Sequence, residues 1–472
     1  MQQRITPVKY YFTNYGDIYA GLLDEYAFDD YNVIVPLIKS KDYNNLKSEE
    51  RTFEKVEEYG WITHKDTIVN TIDGNKISIP KQSHIPDWWE GEYDRKIMFI
   101  VGAGASANCV TGVEKSAFEK DRYRPPLGNE LFDHRFKEHY RKYPGVKLSL
   151  NYLQDKGADI EKMLEDDWKE IRNNSNDSIM SRHINIQFYL LEILKTVSYQ
   201  TVHEYDTTNL FAKLADRAQR IYSKNRKRKF AFVSFNQDTI LESFLCRHFF
   251  HREMDLMTMD NYAEKNNSPF CVFKPHGSWN WGWKLTDETL GKIKVNGTLP
   301  EGLFHHSITL HDLYFRLLGN YQEMVDWNSY GLELEINKHR KGRITIDKSK
   351  ISIMSNADAN NQNYYPALLL PYRDKDEFTM PILHYKRLRT YLGYVETLII
   401  IGWKGNEAAF NRMLFKEGKK IRRVIIVDTN PAVVEENLKP LLSQASVEKI
   451  SYEKGFEDFI TNGLEKELNQ IL

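Results

Sequence analysis

Cysteine is scarce in this chain, and its cysteines stand far apart. The 472 residues include 3 cysteines: Cys109, Cys246 and Cys271. None belongs to a Cys-x-x-Cys pair, so the sequence predicts neither a structural zinc module nor a disulfide framework. The histidines His305, His306 and His311 lack Cys or carboxylate partners at matching spacing, which favours ordinary surface or core positions over metal ligation. No metal is expected.

Long apolar runs and an excess of either charge are also missing. No run approaches the roughly 20 residues that a membrane helix needs, and the first residues lack the layout of a signal peptide. Lys and Arg number 65 against 66 Asp and Glu, a formal net charge of -1. This balance favours neither a general nucleic-acid surface nor an acidic disordered tail. The basic run 223–229 is interpreted as a solvated helix end. The sequence predicts a reduced, cytoplasmic protein without membrane contact.

One apolar stretch runs directly into a glycine loop. Ile97–Val101 has no polar alternation, which is typical of a strand buried on both faces of a parallel sheet. It is followed by Gly102-Ala103-Gly104-Ala105-Ser106. The glycines permit a sharp turn and close approach to a ligand, and a helix starting there would aim free N–H groups at phosphate.

Further short apolar runs end in polar or glycine residues. They are Phe230–Phe235, Phe270–Phe273, Pro366–Pro371, Thr397–Ile401 and Arg423–Val427. Their alternation with helical patterns predicts an α/β fold with a Rossmann-like, doubly wound parallel sheet. Ligands of such sheets bind beyond the carboxyl ends of the strands. Those ends carry 102–106, 236–238, 276–278, Gly402 and 428–430.

The chain is predicted to have two parts. Residues 1–94 form an N-terminal α+β extension with a strand at Asn32–Ile38 and a hairpin over Thr67–Ile79. We interpret it as an embellishment of the main domain, with a surface for an oligomer or partner as the alternative. Residues 95–472 form the catalytic domain, with insertions at about 140–220 and 282–390. The first insertion is helical over 160–220, and the second contains a hairpin or meander over Arg343–Ile353.

The order of these motifs resembles the sirtuin-type fold, and especially the bacterial sirtuin-like effectors of anti-phage defence, over roughly 95–437. Residues 102–106 resemble the family's Gly-Ala-Gly-x-Ser nucleotide loop, and Ser234–Asp238 its strand ending in Asn-x-Asp. Lys274–Ser278 resembles the Leu-His-Gly-Ser segment, Ile401–Lys404 the turn after a later strand, and Val427–Pro431 the ribose-binding strand end. Residues 159–164 and 366–372 also resemble the defence-associated branch.

The chemistry of the residues agrees with this resemblance. Cleavage of the nicotinamide–ribose bond passes through an oxocarbenium-like state, as in glycoside hydrolysis. Asn236 can bind a ribose hydroxyl or orient water, because its amide both donates and accepts. His276 can act as a general base, since an unperturbed histidine has a pKa of about 6.5. Asn236 and His276 are therefore the predicted catalytic residues.

The resemblance also implies which residues bind NAD+, which would be the substrate. It implies that Asp238 contacts the nicotinamide carboxamide and that Asp428 or Asn430 contacts the adenosine ribose. The diphosphate would be held by Gly102, Gly104 and Ser106. The matched motifs complete the predicted NAD-binding set with Ala103, Ser278 and Gly402.

Each motif also has a purely structural interpretation. Asn236 and Asp238 could cap the helix that follows them, since Asx residues are favoured N-caps. His276, before Gly277, could be a turn residue that satisfies the backbone. The cluster Trp279–Trp283 could stack on a base or pack over the mouth of the site. The joint order of the motifs favours a site.

The chain departs from the protein deacylases of the family, which carry a four-cysteine zinc module. Trp403-Lys404 also replaces the family's small polar residues after Gly402. Without a place for a peptide, water becomes the expected acceptor. The resemblance thus implies an NAD+ glycohydrolase that depletes NAD+ in abortive infection when triggered. It further implies a homo-oligomer, or a partner such as a HerA-like ATPase, an Argonaute-type protein or a phage component. The alternatives are an NAD-dependent deacylase and a non-catalytic NAD- or ADP-ribose-sensing subunit.

Overall fold

The structure is a computed structural model, and the chain divides into two compact units, residues 1–93 and residues 94–472. It describes residues 10–14, 17–21, 35–38, 53–56, 60–63, 67–70, 76–79, 96–111, 124–141, 143, 146, 149–150, 159–173, 177–226, 229–250, 259–263, 268–285, 324–326, 354–355, 363–370 and 378–471. The predicted hairpin or meander over Arg343–Ile353 and the three histidines at 305, 306 and 311 lie outside these residues.

The described residues of the first unit are short antiparallel strands. They are β1 (Tyr10–Asn14), β2 (Asp17–Gly21), β3 (Val35–Ile38), β4 (Phe53–Val56), β5 (Gly60–Thr63), β6 (Thr67–Asn70) and β7 (Lys76–Ile79). Strands β1, β2 and β3 form one sheet, and β4–β5 and β6–β7 form two pairs. The pairing of Thr67 with Ile79 and of Asn70 with Lys76 confirms the predicted hairpin. Whether this unit serves an oligomer or a partner stays a prediction.

The second unit contains the remaining strands and the helices. Its strands are β8 (Ile97–Val101), β9 (Phe230–Ser234), β10 (Phe270–Phe273), β11 (Gly277–Leu285), β12 (Met324–Asp326), β13 (Met354–Ser355), β14 (Asn363–Leu368), β15 (Thr397–Ile401), β16 (Arg423–Val427) and β17 (Glu448–Tyr452). Its helices are α1 (Ala103–Ala107), α2 (Lys137–Tyr140), α3 (Ile160–Asn173), α4 (Asp177–Glu204), α5 (Leu210–Lys224), α6 (Ile240–Phe250), α7 (Met259–Ala263), α8 (Ile382–Leu392), α9 (Ala408–Glu417), α10 (Pro431–Asn437), α11 (Lys439–Leu442), α12 (Gly455–Asp458) and α13 (Leu464–Ile471).

The central sheet has six strands within the described residues, in the order β10-β9-β8-β15-β16-β17. Every neighbouring pair in it is parallel. Counted along the chain, these strands lie in the order 3-2-1-4-5-6, which is that of a dinucleotide-binding Rossmann fold. The predicted α/β fold with a doubly wound parallel sheet is confirmed. The strand order reverses between β8 and β15, where a crevice opens beyond the carboxyl ends of the strands.

Continuous apolar runs explain why these segments form the centre of the sheet. Every residue of β8, β9, β10 and β15 is buried. Helices cover both faces of such a sheet, so its strands need no polar side. Phe99 of β8 stacks on Phe232 of β9 with ring centroids 5.0 Å apart. Aromatic side chains therefore contribute to the core between neighbouring strands.

The second unit also contains the helical insertion and a second sheet. Helices α3, α4 and α5 confirm the helical pattern predicted over 160–220. Strands β12-β11-β14-β13 form an antiparallel sheet. The predicted strand Pro366–Pro371 begins earlier, at Asn363, and ends at Leu368. Its end is set by tertiary contacts, because the next N–H, that of Leu369, donates to the carbonyl of His276 at 2.9 Å.

Candidate functional site

A cavity of about 1160 Å³ lies at the carboxyl edge of the central sheet. Segments at the ends of all six parallel strands contribute to its lining: 102–108, 235–238, 276, 402–404, 406–407, 427–429 and 454–457. Its remaining lining comes from residues 110–111, 125–128, 131, 159–161, 190 and 194. The strand ends that carried the sequence motifs therefore meet at one place, as the doubly wound fold requires.

The glycine loop packs directly against the end of β15. The N–H of Gly102 donates to the carbonyl of Ile401 at 3.0 Å, and the N–H of Gly104 donates to that of Gly402 at 3.1 Å. A Cβ on Gly102 would lie 2.5 Å from the Gly402 oxygen. Glycine is required at 102 because two backbones approach closely there. Residues 103–106 of the loop lie within helix α1, which is 5 residues long.

Asn236 lies at the end of β9 and borders the cavity with a side chain that is 6% exposed. Its Nδ2 donates to the hydroxyl of Ser106 at 2.7 Å. Its Oδ1 has no hydrogen-bond partner within the described part of the chain. A buried polar atom without a partner costs roughly 1–3 kcal/mol, so an unused acceptor beside a cavity indicates a ligand or water contact.

Asp238 borders the same cavity and also caps a helix. Its Oδ1 accepts from the N–H of Ile240 at 3.1 Å, at the start of α6. Burial raises the pKa of the Asp238 carboxyl, although the charge of Lys274 and a hydrogen bond from Ser106 oppose this. The capping role foreseen as a structural alternative thus applies to Asp238, and it coexists with a position on the cavity wall.

His276 follows β10 and reaches the cavity from the strand beside β9. Its backbone carbonyl accepts from Leu369 at 2.9 Å and from Nε2 of Gln237 at 3.1 Å. Gly277 follows it at a φ of 72°, a left-handed conformation that favours glycine. The imidazole is 3% exposed and contacts the edge of Phe235, with ring centroids 5.0 Å apart. The turn therefore fixes the backbone while the ring borders the cavity.

The other predicted binding residues separate into two groups. Ala103, Gly402 and Asp428 border the cavity. Ser278 and Asn430 are not among its lining residues. The Ser278 hydroxyl donates to the carbonyl of Gln237 at 3.3 Å, and the N–H of Asn430 donates to Asp428 at 2.8 Å. These two residues therefore contact the loops that carry the site.

Several parts of the cavity wall were missed in the sequence, including an aromatic pair and the segment after β17. The first is an aromatic pair, Phe235 and Trp403, stacked 5.0 Å apart at an interplanar angle of 3°. Trp403 is 2% exposed and its Nε1 donates to Glu407, so the indole that replaces the family's small residue is part of the packed wall. The second is Lys454–Glu457 after β17. The sequence signal that could have indicated it is Gly455, three residues after the end of β17, where the backbone adopts a φ of 79°.

Trp279 and Trp281 of the tryptophan cluster lie in the core instead of at the mouth of the site. Trp281 is fully buried and meets Tyr262 edge to face, with centroids 5.0 Å apart. Trp279 donates from Nε1 to the hydroxyl of Thr239 at 3.1 Å. Neither indole is among the residues that line the cavity. The interpretation as a base-stacking platform is not supported for these two side chains.

The described residues include neither a candidate metal site nor a candidate membrane span. No cluster of three or more His, Cys, Asp or Glu side chains suited to a metal ion occurs in that part of the chain. None of the helices described there is both long and apolar enough to cross a membrane.

Neither a family model nor a curated protein matches the sequence. Solved structures similar to the chain include sirtuins. A Sir2 homologue in complex with NAD is 11% identical, with a TM-score of 0.30, over 81% of this chain and 93% of that chain. A structure on sirtuin substrate affinity is 9% identical, with a TM-score of 0.31, over 79% of this chain and 94% of that chain. At these scores the likeness says nothing of activity, and membership in the defence branch stays a prediction.

Proposed function

We propose that this protein is an NAD+ glycohydrolase, which releases nicotinamide and ADP-ribose. The observation that carries the proposal is the meeting of Asn236, His276 and the glycine loop on one cavity at the reversal point of a 3-2-1-4-5-6 sheet. Sheets of this order bind dinucleotides at that point. A cavity of about 1160 Å³ is also large by the standard of ligand pockets, which span about 300–1,000 Å³.

The residues that border the cavity suit a dinucleotide. Gly102 and Gly402 let the glycine loop and the end of β15 approach each other closely, so that both border the cavity. Asp428, at the end of β16, presents a half-buried carboxylate that can accept from ribose hydroxyls. Lys404 and Lys454 border the same cavity and bring positive charge to a diphosphate.

Hydrolysis requires one bond to break and one to form. The bond between the nicotinamide nitrogen and the ribose carbon breaks, and its electron pair leaves with nicotinamide. The oxygen of a water molecule bonds to the same carbon and loses a proton. Asn236 can hold that water or a ribose hydroxyl through Oδ1, which is unpartnered within the described residues. His276 can accept the proton directly or through a ribose hydroxyl.

We further propose that this activity depletes NAD+ during phage attack. The support is the resemblance of the ordered motifs to sirtuin-like defence effectors, together with the three dispersed cysteines that cannot form the zinc module of deacylases. Unrestrained NAD+ hydrolysis is toxic to a cell, so the activity is expected to await a trigger. The candidates are self-assembly, a HerA-like ATPase, an Argonaute-type protein or a phage component.

Turnover and binding measured on the same samples test the proposal. The purified protein is assayed for NAD+ hydrolysis across a concentration series, beside Asn236→Ala and His276→Ala. Asn462→Ala is the control, because Asn462 is exposed and does not border the cavity. We expect each site variant to lose at least about a hundredfold in rate, as is typical for one acid–base group, while the control keeps the parental rate.

Three other outcomes would contradict the proposal in different ways. Parental hydrolysis by Asn236→Ala would refute the assignment of the site. Binding of NAD+ without turnover under any trigger would favour the sensing subunit. Turnover that requires an acetyl-lysine peptide would favour the deacylase.

A further inference from the structure

Gln237 stands between the cavity residues Asn236 and Asp238, and the sequence motifs assigned it no role. It borders the cavity and is half-buried. Its side-chain Nε2 donates to the backbone carbonyl of His276 at 3.1 Å and also to that of Leu369. Carbonyl oxygens can only accept, and an amide NH2 group has two hydrogens to give. The two carbonyls therefore fix which end of the Gln237 amide faces them.

The main chain of Gln237 is bound to the turn that carries the other predicted catalytic residue. Its carbonyl accepts from the N–H of Trp279 at 3.0 Å and from the hydroxyl of Ser278 at 3.3 Å. Loop 236–238 and turn 274–279 are thus joined through both the side chain and the main chain of Gln237.

The regular ladder between β9 and β10 ends before the two predicted catalytic residues. The last paired residues are Val233 and Phe273. Asn236 and His276 each lie three positions beyond them along the chain. Past the end of the ladder, the relative position of two segments depends on the individual bonds between them. Gln237 supplies several of these bonds from a single residue.

We propose that Gln237 is a positioning residue that holds Asn236 and His276 at a fixed separation. The inference rests on the proposed function for its kinetic consequence, because a water or ribose hydroxyl bound by Asn236 must lie within reach of the His276 imidazole. Misplacement of a reacting group by about 1 Å can cost roughly a hundredfold in rate. In this role Gln237 acts through its Nε2 and not through a contact with the substrate.

Two substitutions at 237 remove the donor in different ways. Gln237→Met keeps an unbranched side chain without the amide, and Gln237→Glu keeps an acceptor oxygen but, once ionised, has no hydrogen to donate. Gln187→Met is the matched control. Nε2 of Gln187 likewise donates to two backbone carbonyls, those of Pro366 at 3.3 Å and Leu368 at 2.8 Å. Gln187 is 4% exposed and is not among the residues that line the cavity.

The readouts separate positioning from stability. We expect kcat for NAD+ hydrolysis to fall about tenfold or more in both variants at 237, while KM and the Kd for ADP stay within about threefold of the parental values. Gln187→Met should lower the melting temperature at least as much, since its amide is the more buried, and should keep kcat within about threefold of the parent. Rates are compared at a temperature below every unfolding transition, so that a less stable variant still carries the test.

Three results would overturn the inference. Parental kcat in Gln237→Met would mean that the loop and the turn keep their separation without the bonds of the Gln237 side chain. Loss of kcat in Gln237→Met with parental kcat in Gln237→Glu would make Gln237 a substrate contact through its oxygen. An equal loss of kcat in Gln187→Met would reduce the effect to general stability.

Hydrogen exchange tests the positioning role without turnover. If the parent does not hydrolyse NAD+, the proposed function fails, and exchange still decides whether Gln237 holds the two segments together. The N–H of Trp279 donates to the carbonyl of Gln237, so the peptide that contains it reports their separation. Exchange about tenfold faster in Gln237→Met than in the parent and in Gln187→Met would support the inference. Equal exchange in the three proteins would refute it.

Discussion

Gly402→Ala should destabilise the folded protein much more than Gly405→Ala, although both glycines have a positive φ. Gly402 has a φ of 59° and Gly405 a φ of 74°. An L-residue in this region costs roughly 1–2 kcal/mol, which applies to both variants. A Cβ at 402 would lie 2.3 Å from the nitrogen of Ala105, whereas one at 405 would lie 3.3 Å from the Cβ of Asn437.

The difference in unfolding free energy between the two variants measures the cost of disturbing the contact between the glycine loop and the end of β15. Overpacking of this kind costs about 1–3 kcal/mol beyond the φ term, so Gly402→Ala should lose about 2–5 kcal/mol in total. Gly405→Ala should lose about 1–2 kcal/mol. Urea unfolding of the two variants and the parent gives these values, and ADP binding reports on the loop. We expect binding to weaken only in Gly402→Ala.

Equal losses of stability in the two variants would refute this reasoning. Such a result would mean that the loop can move away from Gly402 without cost. Stronger destabilisation by Gly405→Ala would place the tight contact elsewhere. In either case, the close approach of strands β8 and β15 would not be what fixes the geometry of the crevice.

Two further predictions concern buried charge. Lys274 and Glu242 form an ion pair with 0% and 1% exposure, so Lys274→Met alone should lower the free energy of unfolding by about 3–5 kcal/mol, measured in urea. The double variant Lys274→Met with Glu242→Leu should recover most of that loss. A double variant as unstable as the single one would contradict the pairing. Burial lowers the pKa of His384 to about 4, opposed by its bond to Met259 at 2.8 Å. As the pH falls, His384 is protonated in the unfolded state, where its pKa is about 6.5, before it is protonated in the folded state. The free energy of unfolding of the parent should therefore fall between pH 6.5 and pH 4 by roughly 3 kcal/mol more than that of His384→Gln. Parallel profiles of stability against pH in the parent and in His384→Gln would contradict this prediction.

The parallel sheet could be predicted because its signal is local. A strand buried on both faces needs apolar residues at every position, and Ile97–Val101 and Thr397–Ile401 have them. Strand β17 lacks this signal: it lies at the edge of the sheet, and Glu448 and Lys449 are exposed. Strand β11 was missed for another reason. Its residues 279–283 alternate tryptophan with Asn and Gly, and the pairing with β12 and β14 identifies them as a strand.

The candidate site was predicted in part for the same reason. A polar residue that follows a buried apolar run, as Asn236 and His276 do, can be recognised in the sequence as a candidate site residue. The reason is that parallel strands bring their carboxyl ends to one edge of the sheet. The partners of those residues have no such signal. Ser106 and Asn236 are 130 positions apart, and their bond follows from the neighbouring positions of β8 and β9.

The sequence by itself determined that apolar strands alternate with helices and that their ends carry glycine, Asn, Asp and His. These are properties of short segments, set by burial and backbone freedom. Only the tertiary structure decided which end of the Asn236 amide is unpartnered and that Asp238 both caps α6 and borders the cavity. It also decided that Trp403 packs on Phe235 as part of the wall. Each of these depends on which side chain lies within hydrogen-bonding or stacking distance across strands, and that is a consequence of the order of the strands.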